Sequence, residues 1–347
     1  MPGVTEEAPP RGKTELRPRF RVEAGEYVSA LGVAPDGGLC LIGLGDGRVL
    51  GFDLPTGQTR LALRAHAGSV LGLSFAPDGR HFVTCGQDAA AKIWARDGSP
   101  GRELPGGGGA WVEHAVWAPA RGRIATASGK KVRVWTTEGE PLVETEPLAS
   151  TVTGLVWRSD GTGLAASCYG GVHVLPFVPG AKVRHLAWKG SLISLAWSPD
   201  AKVIACGSQD SSVHFWRLSS GQDSQMSGYP FKPKALAWDS ESKLLATSGD
   251  ATITLWDFRG KGPEGTRPLQ LEGHKAVCTQ LAFGPRKGVL ASGAQDTSVL
   301  LWEPRRGTKP IRFAFLEDEV TGLSWHPEQH TLVGADASGT ICAWEVS

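Results

Sequence analysis

The sequence predicts an all-β protein, a single β-propeller of four-stranded antiparallel blades, from three observations. First, the chain resembles itself at a period of about forty residues, since GSQDSSVHFW at 207–216 returns as GAQDTSVLLW at 293–302 and as CGQDAAAKIW at 85–94. Second, turns rich in Pro, Asp and Gly separate the short apolar runs. Third, the run from Val299 to Trp302 is apolar throughout, which is typical of a strand covered on both faces. Small sheets stacked around a ring provide that cover.

The number of repeats predicts the number of blades. Each unit ends in a large apolar residue that closes its third apolar strand, and this residue marks the period along the chain. The eight marking residues are Phe52, Trp94, Trp135, Leu175, Trp216, Trp256, Trp302 and Trp344. The sequence therefore predicts eight blades. The alternative is seven blades, with the first or the last unit outside the ring.

An earlier anchor and a tight turn define the other strands of each unit. Seven units carry an aromatic anchor in their first strand: Phe75, Trp117, Trp157, Trp197, Trp238, Phe283 and Trp325. A turn follows the anchor, as in Ala76–Gly79, where Pro fixes φ and Asp and Gly suit the bend. Short strands at even spacing with such turns indicate antiparallel sheets.

The ends of the repeat pattern predict how the ring closes. The last strand, TICAWEV, is the third of its blade, so an outer strand is missing there. The segment PRFRVEA, residues 18–24, precedes the first complete unit and can supply that strand, which removes a free sheet edge. We therefore predict one propeller domain over 18–347, closed by an N-terminal strand, and a disordered tail over 1–17.

Composition and charge bound the function. The chain has 36 Lys and Arg against 35 Asp and Glu, so its field gives no reason to expect a nucleic-acid or membrane partner. Its six cysteines show no paired spacing, which favours buried thiols over disulfides or metal ligands. The first residues lack the apolar core of a secretory signal, and no run approaches a spanning helix. These features predict a cytoplasmic protein.

The units resemble WD repeats, a family named for a terminal Trp-Asp pair that this chain keeps in Trp256-Asp257. The resemblance covers nearly the whole predicted propeller, and unit four is its weakest part, with Tyr169 and Leu175 at the family's Asp and Trp places. It implies that His, Ser or Thr, Asp and Trp form a buried hydrogen-bonded tetrad in a blade. Two units match at all four places: His66, Thr84, Asp88 and Trp94, then His274, Ser292, Asp296 and Trp302.

These buried His and Asp residues favour a structural role over catalysis, because each hydrogen bond stabilises a blade by about 1 kcal/mol and the set recurs around the ring. Neither a GxSxG elbow nor an HExxH motif occurs in the sequence. We predict a non-catalytic scaffold without a cofactor. The propeller is expected to be monomeric, to work within a complex and to bind unidentified proteins or peptides. The alternative is a propeller hydrolase or lyase that uses a metal in the central channel.

The resemblance also implies contact positions on the top face of the propeller. They lie four and six residues before the first-strand anchor and immediately before the turn Asp. Tyr27 and Trp111 are the best binding anchors, because aromatic residues dominate interface energies. The alternative for Trp111 is that it merely packs on the Gly-rich loop at 106–109. Lys232 and Lys234 are either solvated or paired with an acidic partner segment. The full set is Tyr27, Ser29, Gln87, Trp111, Glu113, Gln209, Lys232, Lys234, Gln295, Glu319 and Thr321.

Overall fold

A computed structural model describes residues 14–260, 262–285 and 288–346 of the chain. These residues form strands, turns and loops, with no helix among them. Two strands come before the first blade, β1 (Thr14–Glu15) and β2 (Arg17–Glu23). The rest of the described chain folds into eight consecutive antiparallel sheets, which confirms the eight predicted blades.

The first four blades follow the chain from the inner strand to the outer one, so that each turn connects neighbouring strands. Blade 1 consists of β3 (Val28–Val33), β4 (Leu39–Leu44), β5 (Arg48–Asp53) and β6 (Thr59–Arg64). Blade 2 consists of β7 (Val70–Phe75), β8 (His81–Gly86), β9 (Ala90–Ala95) and β10 (Pro100–Pro105). Blade 3 consists of β11 (Val112–Trp117), β12 (Arg123–Ser128), β13 (Lys131–Thr136) and β14 (Pro141–Glu144). Blade 4 consists of β15 (Gly154–Trp157), β16 (Gly163–Pro176) and β17 (Arg184–Ser191).

The last four blades repeat this order, and the two last ones take their additional outer strands from the N-terminal segment. Blade 5 consists of β18 (Ala196–Trp197), β19 (Val203–Gly207), β20 (Val213–Arg217) and β21 (Asp223–Met226). Blade 6 consists of β22 (Leu236–Trp238), β23 (Leu244–Thr247), β24 (Ile253–Asp257) and β25 (Leu269–Leu271). Blade 7 consists of β26 (Cys278–Phe283), β27 (Leu290–Ala294), β28 (Ser298–Trp302) and β29 (Arg312–Phe315). Blade 8 consists of β30 (Val320–Trp325), β31 (Thr331–Asp336) and β32 (Thr340–Glu345).

Blade 4 keeps four strand segments although its second and third strands form one continuous element. Strand β16 folds back at Gly170 and Gly171, where φ is +92° and +131°. The backbone N–H of Phe177 donates to the carbonyl of Thr162 at 2.8 Å, so the two ends of this hairpin lie side by side. A side chain at Gly171 would collide with the carbonyl oxygen of Leu186, so this turn requires glycine.

The core lies between the blades. The inner strands of neighbouring blades contact each other around a complete circle, and blade 8 contacts blade 1. The buried apolar side chains form eight clusters among the described residues, one for each pair of neighbouring blades. Both faces of each sheet are therefore covered, which explains the apolar runs in the sequence.

Polar groups of the inner strands add bonds between blades. The hydroxyl of Ser29 donates to the carbonyl of Val70 in the next blade at 2.6 Å, and that of Thr279 donates to Val320 at 2.6 Å. The indole N–H of Trp325 donates to the carbonyl of Ala282 in the preceding blade at 3.0 Å. These bonds satisfy buried backbone acceptors and fix each sheet against its neighbour.

The N-terminal segment closes the ring as predicted. Strand β2 pairs antiparallel with β32, from Arg17 opposite Glu345 to Glu23 opposite Thr340, and so becomes the outer strand of blade 8. Its side chains Phe20 and Val22 pack against the cluster between blades 8 and 1. The free edge of the last blade is therefore covered.

The boundary of the predicted tail differs from the structure. Residues 1–13 lie outside the described part of the chain, but Thr14, Glu15 and Arg17, also assigned to the tail, lie in strands. Thr14 and Glu15 pair in parallel with β29 of blade 7, and Leu16 is buried between blades 7 and 8. The backbone N–H of Leu16 donates to the carbonyl of Phe313 at 2.7 Å. The segment thus ties blade 7 to blade 8 before it closes the ring.

Candidate functional site

The candidate site is the top face, which we define as the end of the ring with two kinds of connection. These are the loops that lead from the outer strand of one blade to the inner strand of the next, and the turns between second and third strands. Such turns hold φ > 0 residues at Ala89, Ser211 and Thr297. All eleven predicted contact residues belong to these connections or to the first residues of the inner strands.

The tetrad of blade 2 connects this face to the core. The imidazole of His66 lies 2.7 Å from Asp88 Oδ1 through Nδ1 and 2.8 Å from the hydroxyl of Thr84 through Nε2. The indole N–H of Trp94 donates to the same hydroxyl at 2.9 Å. Burial lowers the pKa of His66, so the ring is neutral, donates to Asp88 and accepts from Thr84. This chain of hydrogen bonds holds the top turn of blade 2 in place.

Blade 7 builds its tetrad with one additional hydroxyl. His274 Nε2 lies 2.6 Å from the hydroxyl of Ser292, to which Trp302 donates at 2.8 Å. Nδ1, however, lies 2.7 Å from the hydroxyl of Ser298, which in turn donates to Asp296 at 2.5 Å. The direct distance from His274 to Asp296 is 3.5 Å. The four matching residues are thus brought together, but the hydroxyl of Ser298 bridges His274 and Asp296.

Blades 5 and 6 have other residues at the His place. In blade 6, the indole of Trp256 donates to the hydroxyl of Tyr229 at 2.7 Å, and that hydroxyl lies 2.8 Å from Thr247. In blade 5, Trp188 occupies the His place and stacks on the buried His214 with ring centroids 3.8 Å apart. An aromatic side chain thus fills the His place in both blades, through a hydrogen bond in blade 6 and through ring stacking in blade 5.

The cysteines are structural too. All six are free and buried, and burial raises the pKa of every thiol: Cys40, Cys85, Cys168, Cys206, Cys278 and Cys342. The pKa rises to about 12 for Cys40, so this thiol is protonated at neutral pH.

Because the thiolate is the reactive species, we expect no rapid reaction of the native protein with Ellman's reagent at pH 8. Six thiols should react after unfolding in guanidinium; rapid reaction before unfolding would contradict this burial.

Several predicted contact residues are engaged within the protein. The hydroxyl of Ser29 is half-buried and joins two blades, as described above. Gln87 Oε1 accepts the backbone N–H of Ser69 at 3.1 Å. Gln295 Nε2 donates to Glu319 Oε2 at 3.2 Å. Ser29 and Gln87 therefore shape the face, whereas Gln295 and Glu319 form a polar pair on it.

One cavity on the top face gathers predicted contact residues from distant parts of the chain. It has a volume of about 710 Å³ and extends over blades 5 to 8 as far as the first loop of blade 1. Apolar side chains such as Phe231 and Val277 line it beside polar groups from the inner strands. The predicted residues in its lining are Tyr27, Lys232, Lys234, Gln295, Glu319 and Thr321.

The other predicted residues lie away from this cavity. Trp111 is 51% exposed on blade 3, and Gln209 is exposed on blade 5. Glu113 is half-buried in the inner strand of blade 3, where burial raises the pKa of its carboxyl group. Its Oε2 atom has no hydrogen-bond partner among the described residues. Trp111 is thus an exposed aromatic residue of the top face that lies apart from the cavity.

Two exposed aromatic residues of this face were missed by the sequence analysis. Phe231 is 56% exposed at the cavity rim, and Tyr169 is 53% exposed in the turn of blade 4. Phe231 lies seven residues before the anchor Trp238, one place before the contact position of Lys232. The available signal was an aromatic residue in a loop next to Pro230 and Pro233, where it could not belong to a strand.

Within the described ranges, no group of three or more His, Cys, Asp and Glu residues is placed to hold a metal ion. The same ranges contain no helix with the length and apolar character needed to cross a bilayer.

The ring, the tetrads and the repeat define a repeat propeller. The family model described as "WD domain, G-beta repeat" (WD40) matches residues 57–95, 180–217, 226–257, 265–303 and 312–345, just over half of the chain. The chain therefore belongs to the WD40 family. The matches leave most of units one, three and four uncovered, and unit four is the one that lacks the Asp and the Trp of its tetrad.

Curated relatives share this repeat. The chain is 27% identical over 237 residues to anaphase-promoting complex subunit cdc20 of Dictyostelium discoideum, over 64% of this chain and 46% of that protein. It is 28% identical over 268 residues to transcriptional corepressor LEUNIG_HOMOLOG of Arabidopsis thaliana, over 74% and 33%. Protein HIR1 of Cryptococcus neoformans is 23% identical over 309 residues, over 81% and 32%. The chain spans less than half the length of these relatives.

A solved structure agrees with the fold. The crystal structure of the computationally designed Ika8 protein superposes with a TM-score of 0.79 at 21% identity, over 93% of this chain and 98% of that one. At this identity the likeness concerns the fold alone.

Proposed function

We propose that this protein is a non-catalytic interaction scaffold whose top face binds a protein or peptide client. The observation that carries the proposal is the cavity of about 710 Å³, in whose lining six predicted contact residues from four blades meet. An exposed tyrosine and an exposed phenylalanine stand at its rim, and aromatic residues supply much of the energy of protein interfaces.

The relatives support the same class of function. One relative is named as a subunit of the anaphase-promoting complex, a name that describes work within a protein assembly, and another is named as a transcriptional corepressor. We extend only this class to the present chain. The free cysteines fit a reducing compartment, and we propose that the protein is cytoplasmic.

The test compares client capture by matched variants. In an affinity pull-down from native extract, we expect Tyr27→Ala combined with Trp111→Ala to lose the client that the wild-type protein retains, because both side chains are about half exposed on the top face. The control is Val178→Ala with Val183→Ala, which removes exposed apolar groups from the loop between β16 and β17 at the opposite end of the ring. All proteins should share one melting temperature.

The outcomes separate the faces of the ring. Capture lost with the top-face pair and kept with the control pair supports the proposal, and the reverse result places the client at the bottom of the ring. Metal analysis of the purified protein checks the alternative of an enzyme with a metal in its channel: a stoichiometric metal would favour it.

A further inference from the structure

The cavity on the top face carries an uneven charge. Lys232 and Lys234 line its blade 6 side, are exposed, and have no ion-pair partner among the described residues. Other charged residues of the ring are paired within the protein, as Arg217 is with Glu264 and Lys131 with Glu144. Two unpaired ammonium groups beside one cavity therefore leave positive charge that an anionic ligand can neutralise.

The opposite side of the cavity has the other sign. Glu319, at the start of blade 8, is the one carboxylate among the described residues of the lining, and its Oε2 already accepts the hydrogen bond from Gln295. Glu317 and Asp318 precede it in the same loop and are exposed. A long polyanion such as a nucleic acid would meet repulsion on this side, whereas a short acidic segment can contact the blade 6 side alone.

The lysine segment is held in a fixed conformation. The backbone N–H of Phe231 donates to the carbonyl of Gly249 at 2.8 Å, and the carbonyl of Pro233 accepts the hydroxyl of Ser194 in blade 5 at 3.0 Å. Pro233 is itself buried between the two exposed lysines. Because the backbone of this segment is already ordered, a ligand that binds the two ammonium groups pays little entropy for ordering the loop.

Apolar surface lies beside these charges. Phe231 is 56% exposed and Tyr27 is 44% exposed, and both line the cavity together with Val277. A ligand that only carried charge would leave these rings in water. An apolar side chain next to an acidic one satisfies both features of the cavity.

We propose that this cavity binds an acidic peptide segment of a partner protein, with carboxylates on Lys232 and Lys234 and a neighbouring apolar side chain on Phe231 and Tyr27. The proposal rests on the proposed function and adds the chemistry and place of the client. The acidic end of the segment lies at blade 6 and its uncharged or basic end at blade 8, next to Glu319.

Selection from a random peptide library displayed on phage tests this proposal, with the whole chain as bait. We expect the enriched peptides to be rich in Asp and Glu beside Phe, Leu or Trp. The best synthetic peptide should lose on the order of tenfold in affinity with Lys232→Gln and Lys234→Gln together, and should bind more weakly at high salt. The matched control Lys202→Gln with Lys243→Gln removes two exposed lysines at the bottom of the ring and should keep the affinity.

Other outcomes overturn the proposal in distinguishable ways. Selected peptides without acidic bias, or unaffected by the lysine variants but lost with Trp111→Ala, would refute the acidic cavity and leave a top-face client standing. Peptides that no top-face variant weakens, or a selection that enriches none, would count against both proposals. A labelled single-stranded oligonucleotide that binds through the same lysines more tightly than any acidic peptide would identify nucleic acid instead.

Discussion

Deletion of the N-terminal strands, residues 14–23, is expected to abolish cooperative folding. The deletion removes β1 and β2, uncovers the edge of β32, and takes Leu16, Phe20 and Val22 out of the clusters between blades 7, 8 and 1. Full burial of one such side chain contributes roughly 1.5–3 kcal/mol, and here Leu16 is buried while Phe20 and Val22 are partly buried. Together with the lost pairing of β2 with β32, this is a large fraction of the stability of an ordinary domain, about 5–15 kcal/mol. Urea unfolding followed by tryptophan fluorescence measures the effect.

A milder variant and a control accompany this deletion. Phe20→Ala should lower the free energy of unfolding by about 2 kcal/mol or more, since the ring packs against blade 1 and the chain cannot fill the space. Arg21→Ala in the same strand removes a surface ion pair with Glu317 and should change it by less than about 1 kcal/mol. A deletion that unfolds at the same urea concentration as the wild-type protein would refute ring closure by β2.

The second large effect is expected at Trp302. This side chain is fully buried and donates to Ser292 in the tetrad of blade 7. Trp302→Ala should lower the free energy of unfolding by about 3–5 kcal/mol through the cavity it leaves. Trp302→Phe should cost less, about 1–3 kcal/mol, because it leaves the hydroxyl of Ser292 without one donor and removes part of the ring. Thermal and urea unfolding measure both.

Trp111→Ala is the matched control, because that indole is half exposed on the top face. We expect a change within about 0.5 kcal/mol. An equal loss of stability in the Trp111 and Trp302 variants would contradict the division of tryptophans into core anchors and surface residues.

The fold could be predicted because its signals repeat. One period, eight anchors and the turn chemistry define the blades, and the missing outer strand of blade 8 left one place for β2. The two-residue strand β1 could not be predicted, since Thr14 and Glu15 show neither alternation nor β propensity over a useful length. Leu16 is buried only because blades 7 and 8 meet at that point.

The site could be predicted only residue by residue. The family's contact positions predicted Tyr27 and Glu319 independently of each other. Only the closed ring shows that the loops that carry them line one cavity. Which other residues join them depends on the packing of blades 5 to 8, and Phe231 was missed for that reason. In the tetrad of blade 7, the relay by Ser298 depends on the rotation of one hydroxyl group and leaves no trace in spacing.

The most direct test of client binding on the top face is lysine-directed cross-linking of the captured complex, read by mass spectrometry. Lys232 and Lys234 lie on the top face, whereas Lys202 and Lys243 follow turns at the bottom of the ring. We expect client cross-links at Lys232 and Lys234 and their protection from acetylation in the complex. Cross-links confined to Lys202 and Lys243, with the top lysines still open to acetylation, would contradict the account.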